Sequence, residues 1–533
     1  MTTSWYRVVV LFLGSAILTA CGGSESAGVS PSGSGNASSS GATSTTDSRG
    51  IEGTGNCDTP GCANASPQNP GPPHPVPAVS SVELVSPGPF PFDLGACVPA
   101  GALGFTLSVF GSGFSTASVV EVNGNARPTT LVTNYPNKFL SAQISASDVG
   151  VAGSAAITVS NPAPGGGRSN AAALTIAPAG AGGGGTSVAL DPTGQFAYVT
   201  IHDCSALDVG NGSVSIYRIN TTTGVPTPLG LVPSGDWGAN SIAITPDGRF
   251  AYVGSDADSG DGGSMAGGVS VFSADPTTGI LTLKEFQSSP CGPQPAPGSC
   301  TPYSVAMHPS GKFLYVANEG GLAPTSVSMY SIDTTTGNLT LIGLIATGGR
   351  AVSIAVDPSG AFAYVINENY AGLTPSVAMF TINATTGALT LVGTIVGDTT
   401  PAGVTVDPTG RFVYVTDAGS NDVSMYAINA TTGALTPIGQ IAAGTAPAGV
   451  LVDPTGKFLY VTNVASNNVS MYTRDTTTGA LTSMGQVAAG VRPGAVTIDP
   501  TGTFVYVTNS TGFMIFRIDA STGALALVGT IST

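Results

Sequence analysis

The sequence is short of charge. Only 8% of its 533 residues are Asp, Glu, Lys or Arg, and 15 cations face 30 carboxylates, a formal net charge of −15 with a pI near 4.3. A chain of that sign neither neutralises a phosphate backbone nor adheres to an anionic surface, which excludes nucleic acid as a partner. Histidine is confined to His74, His202 and His308, so few side chains titrate near neutral pH. There is no phosphate-cradling glycine loop, no Gly-x-Ser-x-Gly elbow, and no pair of Cys-x-x-Cys motifs to hold zinc. Glycine is abundant instead, at 74 positions, a composition that fits all-β structure with many tight turns rather than a helical enzyme.

The apolar run Val8–Leu13, continued by Ala16–Leu18, follows Arg7 and is too short for a permanent bilayer span. It reads as an export signal over residues 1–20. The tetrapeptide Leu18-Thr19-Ala20-Cys21 resembles the lipobox of bacterial lipoproteins. That resemblance implies acylation of Cys21, a membrane partner through the lipid, and, with Gly22 following, an outer-membrane place in the cell envelope. Six cysteines remain, an even number suited to an oxidising compartment. The short spacings suggest disulfides Cys57–Cys62 and Cys291–Cys300, with Cys97–Cys204 left as a long-range pair among 15 possible connectivities.

Residues 21–78 are Ser, Gly, Thr, Pro and Asn with almost no large apolar side chain, and read as a disordered tether. Residues 79–178 alternate short strand candidates with turns: Phe105–Phe110, Val119–Val122, Phe139–Ile144, Ala156–Val159 and Ala173–Ile176. Phe110-Gly-Ser-Gly-Phe114 followed by Val122-Asn-Gly124 resembles IPT/TIG domains, which implies an immunoglobulin-like β-sandwich serving as a spacer or binding module.

From 187 to 533 the chain repeats. Asp191-Pro-Thr-Gly-Gln-Phe-Ala-Tyr-Val199 returns at Thr245, His308, Asp357, Asp407, Asp453 and Asp499, seven copies spaced 46 to 63 residues apart. Asp accepts local N–H groups, Pro presets φ and Gly takes positive φ, so each copy opens with a turn followed by an apolar strand. In the sixth copy four strands are predicted: 448–452, 458–462, 469–473 and 480–486. Seven four-stranded units at this period predict a seven-bladed β-propeller. The repeats resemble the YVTN propellers and, within them, the lactonase-like family that includes 6-phosphogluconolactonase and carboxymuconate cyclases. That similarity implies the fold throughout 187–533 and a lactone-directed activity.

In a blade of this topology the Asp-Pro and Thr-Thr-Gly turns share one face, and every insertion falls on the other, where function is expected. Glu319 and Glu368 follow asparagine after the second strand, and lactonase-like enzymes carry Asn-Glu there. Arg350 and Arg492, in connections on the same face, are candidates to stabilise an oxyanion, as Glu319 with Arg350 or Glu368 with Arg492. His202 beside Asp203 is a candidate base, whereas His308 lies on the turn face. The family histidine expected before the second turn is missing, since Ala239-Asn-Ser-Ile-Ala-Ile-Thr245 stands there, and the loop face is rich in aspartate, which repels a phosphosugar. Asp256, Asp258 and Asp261 offer oxygen spacing for calcium without the glycine and closing glutamate of an EF-hand; no cofactor is otherwise required. Scarce polar centres favour an envelope binding platform for a protein, glycan or small-molecule ligand, with a hydrolase of extracytoplasmic lactones as the alternative.

Overall fold

The computed structural model describes residues 74–84, 97–100, 102–133, 139–177, 185–202, 211–256, 267–289, 300–320, 326–368, 374–397 and 399–532. The signal and lipidation site, most of the tether, and Cys57, Cys62, Cys204, Cys291, Asp258 and Asp261 lie outside them. Cys97, His202, Asp256 and Cys300 enter only through their strand positions.

The seven repeats fold as seven antiparallel blades from Gly185 to Ser532, of which blades three to seven are separate four-stranded sheets. In every repeat the glycine of the first turn holds φ between +66° and +73°. Where aspartate opens the turn, its carboxylate closes it. Asp357 takes the N–H of Ser359 on Oδ2 at 3.1 Å and that of Phe362 on Oδ1 at 2.7 Å. The strand that follows is buried throughout, as in Phe458–Asn463, because each sheet is covered on both faces by neighbouring blades.

One contact locks each blade to the next, and a second joins it at six of the seven boundaries. The phenylalanine of the first turn lies under the Thr-Thr-Gly turn of the following blade, where a Cβ on Gly337 would overlap the Phe250 ring. Gly337 also needs its φ of +80°. The tyrosine two residues on donates to the same glycine's carbonyl: Tyr252 to Gly337 at 2.8 Å, Tyr315 to Gly387 at 2.9 Å, Tyr460 to Gly523 at 2.8 Å. The ring closes by the same means. Tyr506 of blade seven reaches Gly224 of blade one at 3.2 Å, and Phe504, Tyr506 and Phe513 share a core with Val188, Val199 and Tyr217. No strand is exchanged, for Ala172–Ala177 pairs with Gly153–Asn161 rather than with blade seven.

Blades one and two differ from the expected pattern. One strand, Pro226–Ile244, is the outer strand of the first and the inner strand of the second, so the two form a single seven-stranded sheet. Residues 74–177 build two further sheets. Ala78–Leu84, Phe105–Ser112, Phe139–Ile144 and Thr129–Val132 make one, and the other centres on Val119–Val122, Gly153–Asn161 and Ala172–Ala177. Val82, Leu107, Val109 and Leu140 from the first share one core with Val98, Val120, Ile157 and Leu174 from the second. Asn123 and Gly124 both take positive φ in a two-residue hairpin, the geometry that Asn-Gly favours. Backbone pairing begins at His74, bonded to Pro164 and Gly166, slightly inside the stretch read as tether.

Candidate functional site

Each inner strand runs from the loop face toward the Asp-Pro turn, and each second strand runs back. The last residues of the second strands therefore meet the first residues of the inner strands around the mouth of the central channel. Glu319 is the penultimate residue of Phe313–Gly320 in blade three, and Glu368 closes Phe362–Glu368 in blade four. Arg350 opens the inner strand Arg350–Val356 of blade four and pairs in register with Glu368. Gly349 makes that register possible, since a Cβ there would come within 2.8 Å of the Asn367 Cβ.

Arg350 gathers both glutamates. One terminal nitrogen bonds Glu319 across the blade boundary, and the other lies 3.2 Å from Glu368 Oε2. The guanidinium and the Glu368 carboxylate are nearly buried, at 12% and 8% exposure, while Glu319 keeps 23%. Burial works against the Arg350 charge, but Glu319 and then Glu368 outweigh it, and its pKa goes up. Glu368 is pushed up to about 7: burial is the main cause, Arg350 opposes it, and Glu319 adds to it. Arg350 lies closer to Glu319, and its contact with Glu368, which opposes the effect of burial there, is the longer of the two.

The asparagines preceding the two glutamates brace the site. Asn318 is buried and bonded to Ser289 and Ser328, and Asn367 donates to the Thr347 carbonyl at 2.9 Å and to Ser376 at 3.2 Å. Tyr303 adds an aromatic ring that sequence reasoning missed. It is the extra residue of a bulge between Pro302 and Ser304, half-buried against a core that includes Val352 and Ile366, and its phenol is among the groups that perturb Arg350. The same bulge holds Thr186 and Asn240 in blades one and two, which reach the next blade's carbonyls at 2.6 and 3.0 Å. Aligning the repeats by phase would have marked Tyr303 as the aromatic in that ring of positions.

Arg492 occupies the same repeat position as Arg350, four residues before the inner-strand residue that pairs with the second-strand valine (Val496 with Val507, Ile354 with Val365). It lies three blades away, exposed at φ +54°, with its N–H on Asn467 at 2.8 Å. The pairing of Glu368 with Arg492 is thus replaced by one with Arg350. His202 and Asp256 sit at the strand positions in blades one and two that Glu319 and Glu368 fill in three and four. His308 is on the turn face, nearly buried, with Nε2 on the Gly360 carbonyl at 3.0 Å and Nδ1 on Ser310 at 2.8 Å. Among the described residues no group of three or more His, Cys, Asp or Glu is arranged to hold a metal.

A seven-bladed propeller with a buried cation shared by two carboxylates at its channel mouth defines the class. The family described as Lactonase, 7-bladed beta-propeller matches residues 186–400 and, overlapping them, 354–497, more than half of the chain, and the chain belongs to that family. Similar solved structures include a protein provisionally assigned as a 6-phosphogluconolactonase from Bacteroides fragilis. It is 22% identical, with 60% of this chain and 91% of that one covered and a TM-score of 0.50. The periplasmic gluconolactonase of Pseudomonas aeruginosa is 18% identical, with 65% and 94% covered and a TM-score of 0.50. At these identities the likeness is one of fold. No curated protein matches the chain.

Proposed function

We propose that this protein is a lactone hydrolase, with Glu319, Arg350 and Glu368 as its working groups. The observation that carries the reading is the sharing of one nearly buried arginine by two glutamates at the channel mouth of a lactonase-family propeller. Family and site together favour the hydrolase over the binding platform that the scarcity of polar centres suggested.

The chemistry follows from the uneven sharing. Ionised Glu368 accepts a proton from water as the water oxygen attacks the lactone carbonyl. Once neutral, Glu368 no longer holds its nitrogen of Arg350, and that N–H turns to the developing oxyanion. The ring C–O bond then breaks, the proton on Glu368 passes to the departing alkoxide, and a hydroxy acid leaves with the water oxygen in its carboxyl group. Glu319 keeps the guanidinium in place throughout.

The test is hydrolysis of a panel of γ- and δ-lactones by the unacylated full chain. Because Glu368 is protonated below about pH 7 and must be ionised to act, kcat/KM rises with pH through that region. Glu368→Gln and Arg350→Ala each lower kcat by about 100-fold or more. No turnover on any lactone, or a rate that is flat from pH 5 to 9, overturns the reading.

The N-terminal resemblances support a cell-envelope setting for this activity, with residues 79–178 as an IPT/TIG-like spacer and Cys21 as the lipid anchor. Cys21→Ala then moves the protein from the membrane fraction to the soluble one. Unchanged fractionation removes the anchor from the proposal.

A further inference from the structure

We propose that the site accepts uncharged lactones and turns away anionic ones, an inference that rests on the hydrolase reading and adds the substrate class to it. A pocket built for an anionic substrate carries net positive charge. Here both terminal nitrogens of Arg350 already face carboxylates, so with both glutamates ionised the three groups sum to a net charge of −1. The carboxylates are acceptors, suited to hydroxyl groups and hostile to phosphate or carboxylate.

The distribution of charge over the whole propeller points the same way. Ten lysines and arginines lie between Gly185 and Ser532, and eight of them sit toward the turn face. Arg249, Lys312, Arg411 and Lys457 are in the Asp-Pro turns themselves, and Arg249 and Arg411 are spent on carbonyls of the next blade's Thr-Thr turn. Only Arg350 and Arg492 lie at the loop end. Against them the described strands bring Glu319, Glu368, Asp417 and Asp422 to that end. An approaching anion meets a field of its own sign in a half-enclosed mouth. Half-buried Tyr303, packed beside Val352, offers an uncharged face to a neutral ring.

The same arrangement gives the reaction a direction. A neutral lactone enters without electrostatic penalty, hydrolysis creates a carboxylate, and that product leaves a site that repels it.

The experiment compares δ-gluconolactone with its 6-phospho derivative on the full chain, at about 20 mM and about 1 M salt. We expect kcat/KM for the uncharged lactone to be at least about tenfold higher at low salt. The ratio shrinks at high salt, where charges are felt over only about 3 Å. Equal or faster turnover of the phosphorylated lactone overturns the inference while leaving the hydrolase standing. If neither lactone turns over, the hydrolase reading fails on its own, and calorimetric binding of the corresponding uncharged and phosphorylated lactams decides the ligand class. Preference for the uncharged lactam upholds the class; no preference, or no binding of either, removes it.

Discussion

Arg474 and Asp407 form an ion pair without any solvent exposure, at 2.8 Å, on the turn face between blades five and six. The arginine also donates to the Tyr414 hydroxyl and the Gly456 carbonyl, both at 2.6 Å. The repeat explains what each partner is for. Asp407 closes its turn through the N–H groups of Thr409, Arg411 and Phe412, as aspartate does in the other blades without an arginine nearby. Arg474 ends the third strand, where Ile219, Ile332, Ile382, Ile428 and Ile518 stand in other blades. Without Arg474 the Asp407 carboxylate keeps the N–H groups that hold buried Asp357 and Asp453 with no arginine, and an apolar side chain fills the vacated place. Arg474→Ile is therefore expected to change stability by less than about 1 kcal/mol. Asp407→Ala strands a buried guanidinium and opens a turn, at a cost of about 3–5 kcal/mol. Denaturant melts of both variants decide it, and a larger loss for Arg474→Ile than for Asp407→Ala sinks the argument.

At the scale of the element, the blades were legible because turn and strand are written in adjacent residues. Strands predicted in the sixth repeat at 448–452, 458–462, 469–473 and 480–486 stand at Pro447–Val452, Phe458–Asn463, Asn468–Arg474 and Leu481–Ala488. What could not be read was anything set by a neighbour. Ser234 to Gly238 has the composition of a loop, yet it continues as strand because Trp237 is flanked by Asn211 on one side and Asp256 on the other. The pairing of long neighbours overrides a local preference for turn. The site divides in the same way. Asn-Glu after Tyr-Val was visible as a motif in two repeats, and Arg350 as a cation on the right face. That one arginine would serve both glutamates depends on the inner-strand register and on which blades adjoin, and neither is encoded in the residues around Arg350.

At the scale of the whole molecule, residues 74–177 also meet the propeller. The chain between Cys97–Pro99 and Phe105–Ser112 lies against the outer strand of blade one, with Ala102 bridging Leu231 and the Leu103 N–H on the Leu231 carbonyl at 2.6 Å. An outer strand is an open edge, so a visiting backbone both satisfies it and shields it. Leu103 packs beside Val214, Ile216 and Val232 because Gly230 leaves room: that glycine holds φ +143°, and a Cβ on it would come within 2.7 Å of the Leu103 side chain. Outer strands of blades three to seven carry glycine at the corresponding bulge, and at Gly343 the nearest atom is Met329 of its own blade. The contact is therefore specific to blade one. Gly230→Val should strain the backbone and expel Leu103, freeing the N-terminal unit without opening the ring, whose closure through Tyr506, Phe504 and Val188 lies elsewhere. Limited proteolysis should then cut between Ala177 and Gly185 several times faster than in the parent, and scattering should give a larger radius of gyration. Gly343→Val, at the same position in blade three, should leave both readouts unchanged. If Gly230→Val matches the parent in cleavage and in size, Leu103 is not what couples the two units.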